Sequence, residues 1–140
     1  MKRLLYLPFA LFSLSACDDK IVDTIPPHAT TDLLVKWQGL STHEVDTTPA
    51  GQVASDNTTT YPAGSYYLEF TPTEMLVYAG ATVSKLSAYT VANNVITLQP
   101  AVAGEGAQRI EDITPTRLVL TTTRLGSGSN TKALTTTYGR

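Results

Sequence analysis

The sequence predicts an all-β domain: a single antiparallel up-and-down barrel or sandwich of about eight strands. Three observations carry that expectation. Apolar and polar residues alternate over short stretches, as in Tyr66-Tyr67-Leu68-Glu69-Phe70, which suits a strand with one buried face. Turn-forming residues punctuate the chain at short intervals, while few stretches place apolar residues at helical spacing. Threonine recurs in triplets, Thr58-Thr59-Thr60, Thr121-Thr122-Thr123 and Thr135-Thr136-Thr137, and a β-branched residue fits the outer face of a sheet.

Taken in order, the ordered chain is expected to start at residues 33–40, with Trp37 in the first strand. Residues 41–62 are rich in Thr, Asp and Asn with Pro49, Gly51 and Pro62, and read as a long mobile connection with a strand around residues 52–54. Tyr66, Leu68 and Phe70 then share one face of a strand and Tyr67 and Glu69 the other. Pro72 breaks that run, and Glu74-Met75-Leu76-Val77-Tyr78 forms the next strand, ended by Ala79-Gly80. Residues 86–91 and 95–98 make the strongest hairpin, because Asn93-Asn94 between them tolerates the positive φ of a tight turn. Residues 100–106 read as a loop, 108–113 as a strand, Thr114-Pro115 as a corner and 117–122 as a strand. Gly126-Ser127-Gly128-Ser129-Asn130 is a flexible turn, and residues 131–138 close the sheet.

The beginning of the chain carries a different message. Met1-Lys2-Arg3 is positive, residues 4–14 are mainly apolar, and Ser15-Ala16-Cys17 supplies small residues at a cut site, the three parts of a secretory signal. The apolar run is too short to cross a ~30 Å hydrocarbon core. Leu14-Ser15-Ala16-Cys17 resembles the lipobox of bacterial lipoproteins, in which the cysteine takes a lipid thioether and the signal is cut before it. That resemblance implies a signal peptide over 1–16, a lipidated tether over 17–32 and a β domain over 33–140, held to a membrane through lipid on Cys17. Asp18-Asp19 just after it resembles both the inner-membrane retention signal of enterobacterial lipoproteins and the surface-export signal of Bacteroidetes ones, and either fits. Cys17 is the single cysteine, so no disulfide within the chain is available and the fold relies on its core.

Ten Lys and Arg against 12 Asp and Glu give a formal charge of −2, with no basic stripe, so nucleic acid is not an expected partner. The residues that carry chemistry elsewhere do not assemble a motif here. His28, His43, Glu44 and Asp46 lack metal-site spacing and read as solvated tether or loop residues, so no metal or other cofactor is expected. Ser41, Ser55, Ser65, Ser84 and Ser87 lack a nucleophile elbow. Adjacent Glu111 and Asp112 point to opposite faces of a strand, and Glu105 stands apart. Gly104-Glu105-Gly106 and Gly126-Ser127-Gly128 precede no helix that would hold a phosphate. No catalytic residue is assigned, and the chain is not expected to be an enzyme.

The order of the β segments is similar to that of lipocalin-like domains. Leu34-x-x-Trp37-x-Gly39-Leu40 resembles their tryptophan-bearing first strand, and Leu68-Glu69-Phe70-Thr71-Pro72-Thr73-Glu74-Met75 their next hairpin, with Thr-Glu where Asp-Gly is usual. Residues 89–98 and 110–120 resemble the two hairpins that follow. The resemblance covers about residues 33–125. It looks like the lipocalin-like lipoproteins of Bacteroidetes, and it implies up-and-down strands with space for a cavity between them and no catalytic motif to carry over.

Two functional expectations follow. The first is a non-enzymatic module that takes a small apolar ligand or lipid in its barrel, with Trp37, Tyr66, Phe70 and Tyr89 as the candidate ligand-binding residues. For Trp37, packing as a plug across one barrel end is the competing expectation. An interior filled by Trp37, Phe70, Leu98 and Leu120 would exclude such a ligand. The second is a structural or protein- or glycan-interaction module of the envelope that acts through a Thr- and Tyr-rich exterior, with Tyr61, Tyr66, Tyr67, Tyr78 and Tyr89 as candidates and one of Tyr66 and Tyr67 facing outward, and through the long segment 41–62, with no partner identifiable from sequence.

Overall fold

The computed structural model describes residues 31–99 and 107–140, and Ser127 through its backbone alone. The signal segment, Cys17, His28 and the loop over 100–106 with Glu105 lie outside these residues. Nine strands form one antiparallel sheet: β1 (Lys36–Thr47), β2 (Val53–Thr60), β3 (Tyr66–Phe70), β4 (Glu74–Ala79), β5 (Thr82–Ala92), β6 (Val95–Gln99), β7 (Gln108–Thr114), β8 (Arg117–Leu125) and β9 (Thr131–Gly139). The order is β2-β1-β3-β4-β5-β6-β7-β8-β9, and β9 pairs back onto β1. Eight strands therefore close an antiparallel barrel, and β2 lies outside the ring as a flap on β1.

Two features of β1 differ from the sequence expectation. Residues 33–35 are not strand: Thr31 to Leu33 makes a helical turn that lays Leu33 across one barrel end, where Trp37 Nε1 donates to its carbonyl at 3.2 Å. Further on, residues 41–62 are not a long mobile connection. Ser41 to Thr47 continues β1, a short turn follows, and β2 returns in register from Thr47↔Val53 to Ser41↔Thr60. The alternation signal was missing because β2 is exposed on nearly every residue, with no apolar face to mark it. Backbone pairing with β1 and cross-strand polar pairs hold it instead.

One edge of β1 serves two neighbours. Lys36 to Gln38 pair with β3, Ser41 to Thr47 pair with β2, and the register against β9 shifts between Gly39 and Ser41. This bulge bends β1 where it leaves the ring and extends past it. Gly39 is required there by contact. A Cβ on it would lie 2.3 Å from Cδ1 of Tyr66, whose ring rests on the bare backbone.

The turns behave as their residues dictate. Asn93 and Asn94 have φ of 51° and 61°, the left-handed pair of a two-residue hairpin between β5 and β6. Between β3 and β4 the Thr71 hydroxyl accepts from the Glu74 amide at 2.9 Å, so Thr-Pro-Thr makes the turn without Asp-Gly.

The core is asymmetric. Leu33, Trp37, Leu68, Phe70, Met75, Ile96, Leu98, Ile110, Leu118, Leu120 and Tyr138 pack as one buried cluster. Phe70 meets Tyr89 edge to face at 5.3 Å, and the Tyr89 hydroxyl donates to the Thr71 carbonyl at 2.7 Å. The four side chains that mark a filled interior, Trp37, Phe70, Leu98 and Leu120, are all buried: the first three pack one half of the barrel, and Leu120 faces the other half from the edge of that cluster. The Leu33 turn, the β3–β4, β5–β6 and β7–β8 turns and the C-terminus gather at this closed end. The β1–β2, β4–β5 and β8–β9 connections gather at the opposite, open end.

Replacing Gly39 with alanine forces the Tyr66 ring off the strand. The expected cost is about 1–3 kcal/mol, as for overpacking elsewhere. It is read as a lowered denaturant midpoint at unchanged m-value, and full retention of the wild-type midpoint would show that Tyr66 does not need the bare backbone.

Candidate functional site

The open half of the barrel holds a cup of about 300 Å³. Its floor is apolar, made by Met75 and Val77 from β4 and Leu120 from β8. Strand alternation raises polar groups above that floor. Along β8, Thr122 and Arg124 follow Leu118 and Leu120 on the inner face, and along β5 Lys85 precedes Ser87 and Tyr89. Thr136 and Leu134 from β9 and Gln108 from β7 complete much of the wall.

Hydroxyls line one side. Tyr66 sits on Gly39, with its ring 4.8 Å from that of Tyr61 and 6.1 Å from that of Tyr138. The Thr42 hydroxyl hydrogen bonds both Tyr61 at 3.0 Å and Thr136 at 2.8 Å. Tyr138 is buried at the base of the cup beside Tyr66. Loss of solvent pushes the Tyr138 phenol well up from its ordinary value, and the neighbouring Tyr66 adds to this. Burial likewise raises Tyr66.

Past the ring, β8, β9, β1 and β2 continue as a tall lip while β3 and β4 stop short. The lip carries an ionic group. Lys132 donates to Glu44 Oε1 at 2.5 Å and stands 3.8 Å from Asp46 Oδ2, which also accepts from the Ser55 hydroxyl at 3.2 Å. The hydrogen bond to Glu44 lifts the Lys132 ammonium above its usual range, against the opposing effect of desolvation. Asp46 Oδ1 is buried and lacks a protein hydrogen-bond partner.

The sequence candidates therefore separate. Tyr66 lines the cup; Trp37 and Phe70 belong to the filled half, and Tyr89 packs on Phe70 rather than on the cup. Trp37, with no exposed surface, is the plug across the closed end. His43, Glu44 and Asp46 are not solvated loop residues but part of β1, where cross-strand partners claim them: His43 Nε2 lies 2.7 Å from Asp56 Oδ1, and Lys132 holds the other two. Among the described residues no group of three or more His, Cys, Asp or Glu converges as a metal site. Glu111 and Asp112 pair with different arginines, Arg109 at 3.5 Å and Arg117 at 3.0 Å. Lys85, Arg124, Thr122 and Thr136 went unnoticed in the sequence because polar side chains on an inner face contradict the apolar-in pattern. Extending the alternation of β5 and β8 by one or two steps would have found the first three.

Outside the ring, Lys36 lies over the rings of Tyr78 at 3.8 Å and Tyr67 at 4.8 Å, and Tyr78 donates to Glu69. Lys36 and Tyr67, with Gly64, Gly80 and Ala81, border a shallow groove of about 380 Å³.

No protein-family model, curated protein or solved structure matches the chain. Among the described residues no helix is long and apolar enough to cross a membrane.

The buried phenols set the alkaline limit of the fold. An unfolded tyrosine ionises near pH ~10, whereas Tyr138 and Tyr66 in the fold resist ionisation, so the unfolded chain releases protons first. Stability is thus full below that pH and falls as pH rises through it; Lys132, also raised, acts in the same direction. The expected result is phenolate absorbance from the buried tyrosines appearing together with loss of near-ultraviolet dichroism. Ionisation of every tyrosine with the fold intact would contradict it.

Proposed function

We propose that this chain is a lipid-anchored, non-enzymatic envelope protein, lipocalin-like in architecture, that holds a small ligand in the open half of its barrel. The observation that carries the reading is the cup: about 300 Å³ with an apolar floor and a hydroxyl-lined wall, at the low end of volumes found for small-molecule sites. The filled half narrows the sequence expectation. A long apolar ligand running through the barrel has nowhere to go, so the ligand is short and at least partly polar. The lipobox-like Leu14-Ser15-Ala16-Cys17 supports the anchor, since several acyl chains at ~0.8 kcal/mol per CH₂ hold a protein on a membrane.

A second reading has its own observation. The outward Tyr67–Lys36–Tyr78 cluster beside a shallow groove offers aromatic surface with hydrogen-bonding groups, the composition that suits a glycan or a protein edge.

Native mass spectrometry separates the two. The chain from Asp18 to Arg140, purified without detergent, is expected to carry an extra mass that is lost on denaturation and identifiable in an extract. A bare mass after exposure to extract of the producing cell's envelope would count against the cup and for the outer groove. The anchor is tested independently: Cys17→Ala is expected to abolish incorporation of a fatty-acid probe, and continued labelling would refute it.

A further inference from the structure

The flap strand β2 has an edge that the barrel does not use. It pairs with β1 on one side, and among the described residues no strand pairs with its other side. β4, which covers β3 on that side, stops at Ala79 opposite Tyr66, so the edge of β2 runs on past it. Nearly every β2 side chain is exposed. Sheets ordinarily blunt such an edge with proline, lysine or a very short strand. β2 is 8 residues long and contains neither proline nor lysine. Its charged residue, Asp56, already lies 2.7 Å from His43 Nε2 on β1.

The ladder determines which backbone groups the edge offers. The Tyr61 N–H donates to the Leu40 carbonyl at 2.9 Å, one step beyond the Ser41↔Thr60 pair. Antiparallel bonds alternate, so Thr59, Asn57 and Ser55 aim their N–H and C=O groups at β1, while Thr60, Thr58 and Asp56 aim theirs outward. Side chains alternate in step. Asn57 and Thr59 share a face with Glu44 and Thr42, their β1 partners, and Asp56 and Thr58 lie on the opposite face.

We propose that this edge pairs with the same edge of a second copy, antiparallel about a two-fold axis at Asn57. A strand that meets its own copy in this way uses both edges and closes as a dimer. In that register Asp56 exchanges backbone bonds with the partner's Thr58, so each carboxylate faces a hydroxyl. Asn57 meets the partner's Asn57, and Ser55 meets the partner's Thr59, pairs that can hydrogen bond across the strands. An axis at Asp56 would set two carboxylates directly opposite, which is destabilising. An axis at Thr58 would set Ala54 against the partner's Pro62, which has no N–H to give. The strand is thus self-complementary in charge and in backbone donors in one register, which favours a second copy over a foreign strand.

The test places single cysteines along β2 of the full chain, in lysed producing cells, with copper phenanthroline as oxidant. Residues facing each other in a non-hydrogen-bonded pair have Cα atoms ~4.5 Å apart, within the ~4.4–6.8 Å that a disulfide spans. Asn57→Cys is therefore expected to yield a disulfide homodimer on a non-reducing gel, above the background of the wild-type chain with Cys17 alone. For Ser55→Cys, the two copies of the residue are offset by ~13 Å along the strands at ~3.3 Å per residue, and no dimer is expected. Co-expressed with the Thr59→Cys chain, it is expected to cross-link again. Thr58→Pro spares the β1 ladder, because that N–H points away from β1, and is expected to abolish the Asn57→Cys dimer. Near-ultraviolet dichroism of the purified variant checks that the barrel is folded; if it is not, the cysteine pattern alone decides. Equal dimer from positions 55, 57 and 59, no dimer from Asn57→Cys, or adducts with a different protein in its place would each overturn the self-pairing. So would an undiminished dimer in the folded Thr58→Pro chain.

Discussion

Strand β1 must satisfy three neighbours, and the Gly39–Leu40 step is where it does so. Before it, β1 pairs with β3 and brings Trp37 and the Leu33 turn into the closed end. After it, β1 pairs with β2 and carries Thr42, Glu44 and Asp46 up the lip, while β9 follows the other edge throughout. A side chain at Gly39 would displace Tyr66 and with it the contact between floor and wall. The bulge is thus the joint between a packed half that supplies stability and an open half that does not.

The division of labour follows from elementary energetics. Without a disulfide in the chain, apolar burial has to offset the conformational entropy of ordering about a hundred residues. The Trp37 cluster concentrates that burial at one end, where large aromatic and branched side chains fill the ring. The other end can then keep buried hydroxyls, an ion group and even an unpartnered Asp46 oxygen, each of which costs free energy that the packed end supplies.

Much of this architecture was legible in the sequence, and the limits of legibility are physical. The run from Tyr66 to Phe70 alternates because one face meets the core, so its two faces were plain in the sequence, and ring closure shows that the Tyr66, Leu68 and Phe70 face is the inner one. Asn93-Asn94 announced its hairpin through positive φ. The β1–β2 hairpin stayed hidden because Thr, Asp and Asn on an exposed flap carry no hydrophobic period, and strands held by backbone bonds and polar pairs leave little trace. The cup's cations were hidden for the opposite reason. Lys85 and Arg124 sit on inner faces, where an apolar residue is the default expectation, so only ring closure identifies their direction. Trp37 and Phe70 were prominent candidates because large aromatics serve both plugs and pockets, and sequence alone does not separate the two.

The chain enters the described barrel beside the plug, at Thr31 to Leu33, and the cup opens at the far end. With lipid on Cys17, the intervening 17–30 segment could reach at most ~50 Å if fully extended. Under the proposed anchor, the tether would join the barrel at its sealed base, and the mouth would lie at the end away from the point of attachment. Exchange of cargo would then proceed through water, with encounter governed by dissolved concentration rather than by lateral diffusion in the membrane. Under the proposed function, the plug would fix which end of the barrel exchanges cargo as well as the stability of the fold.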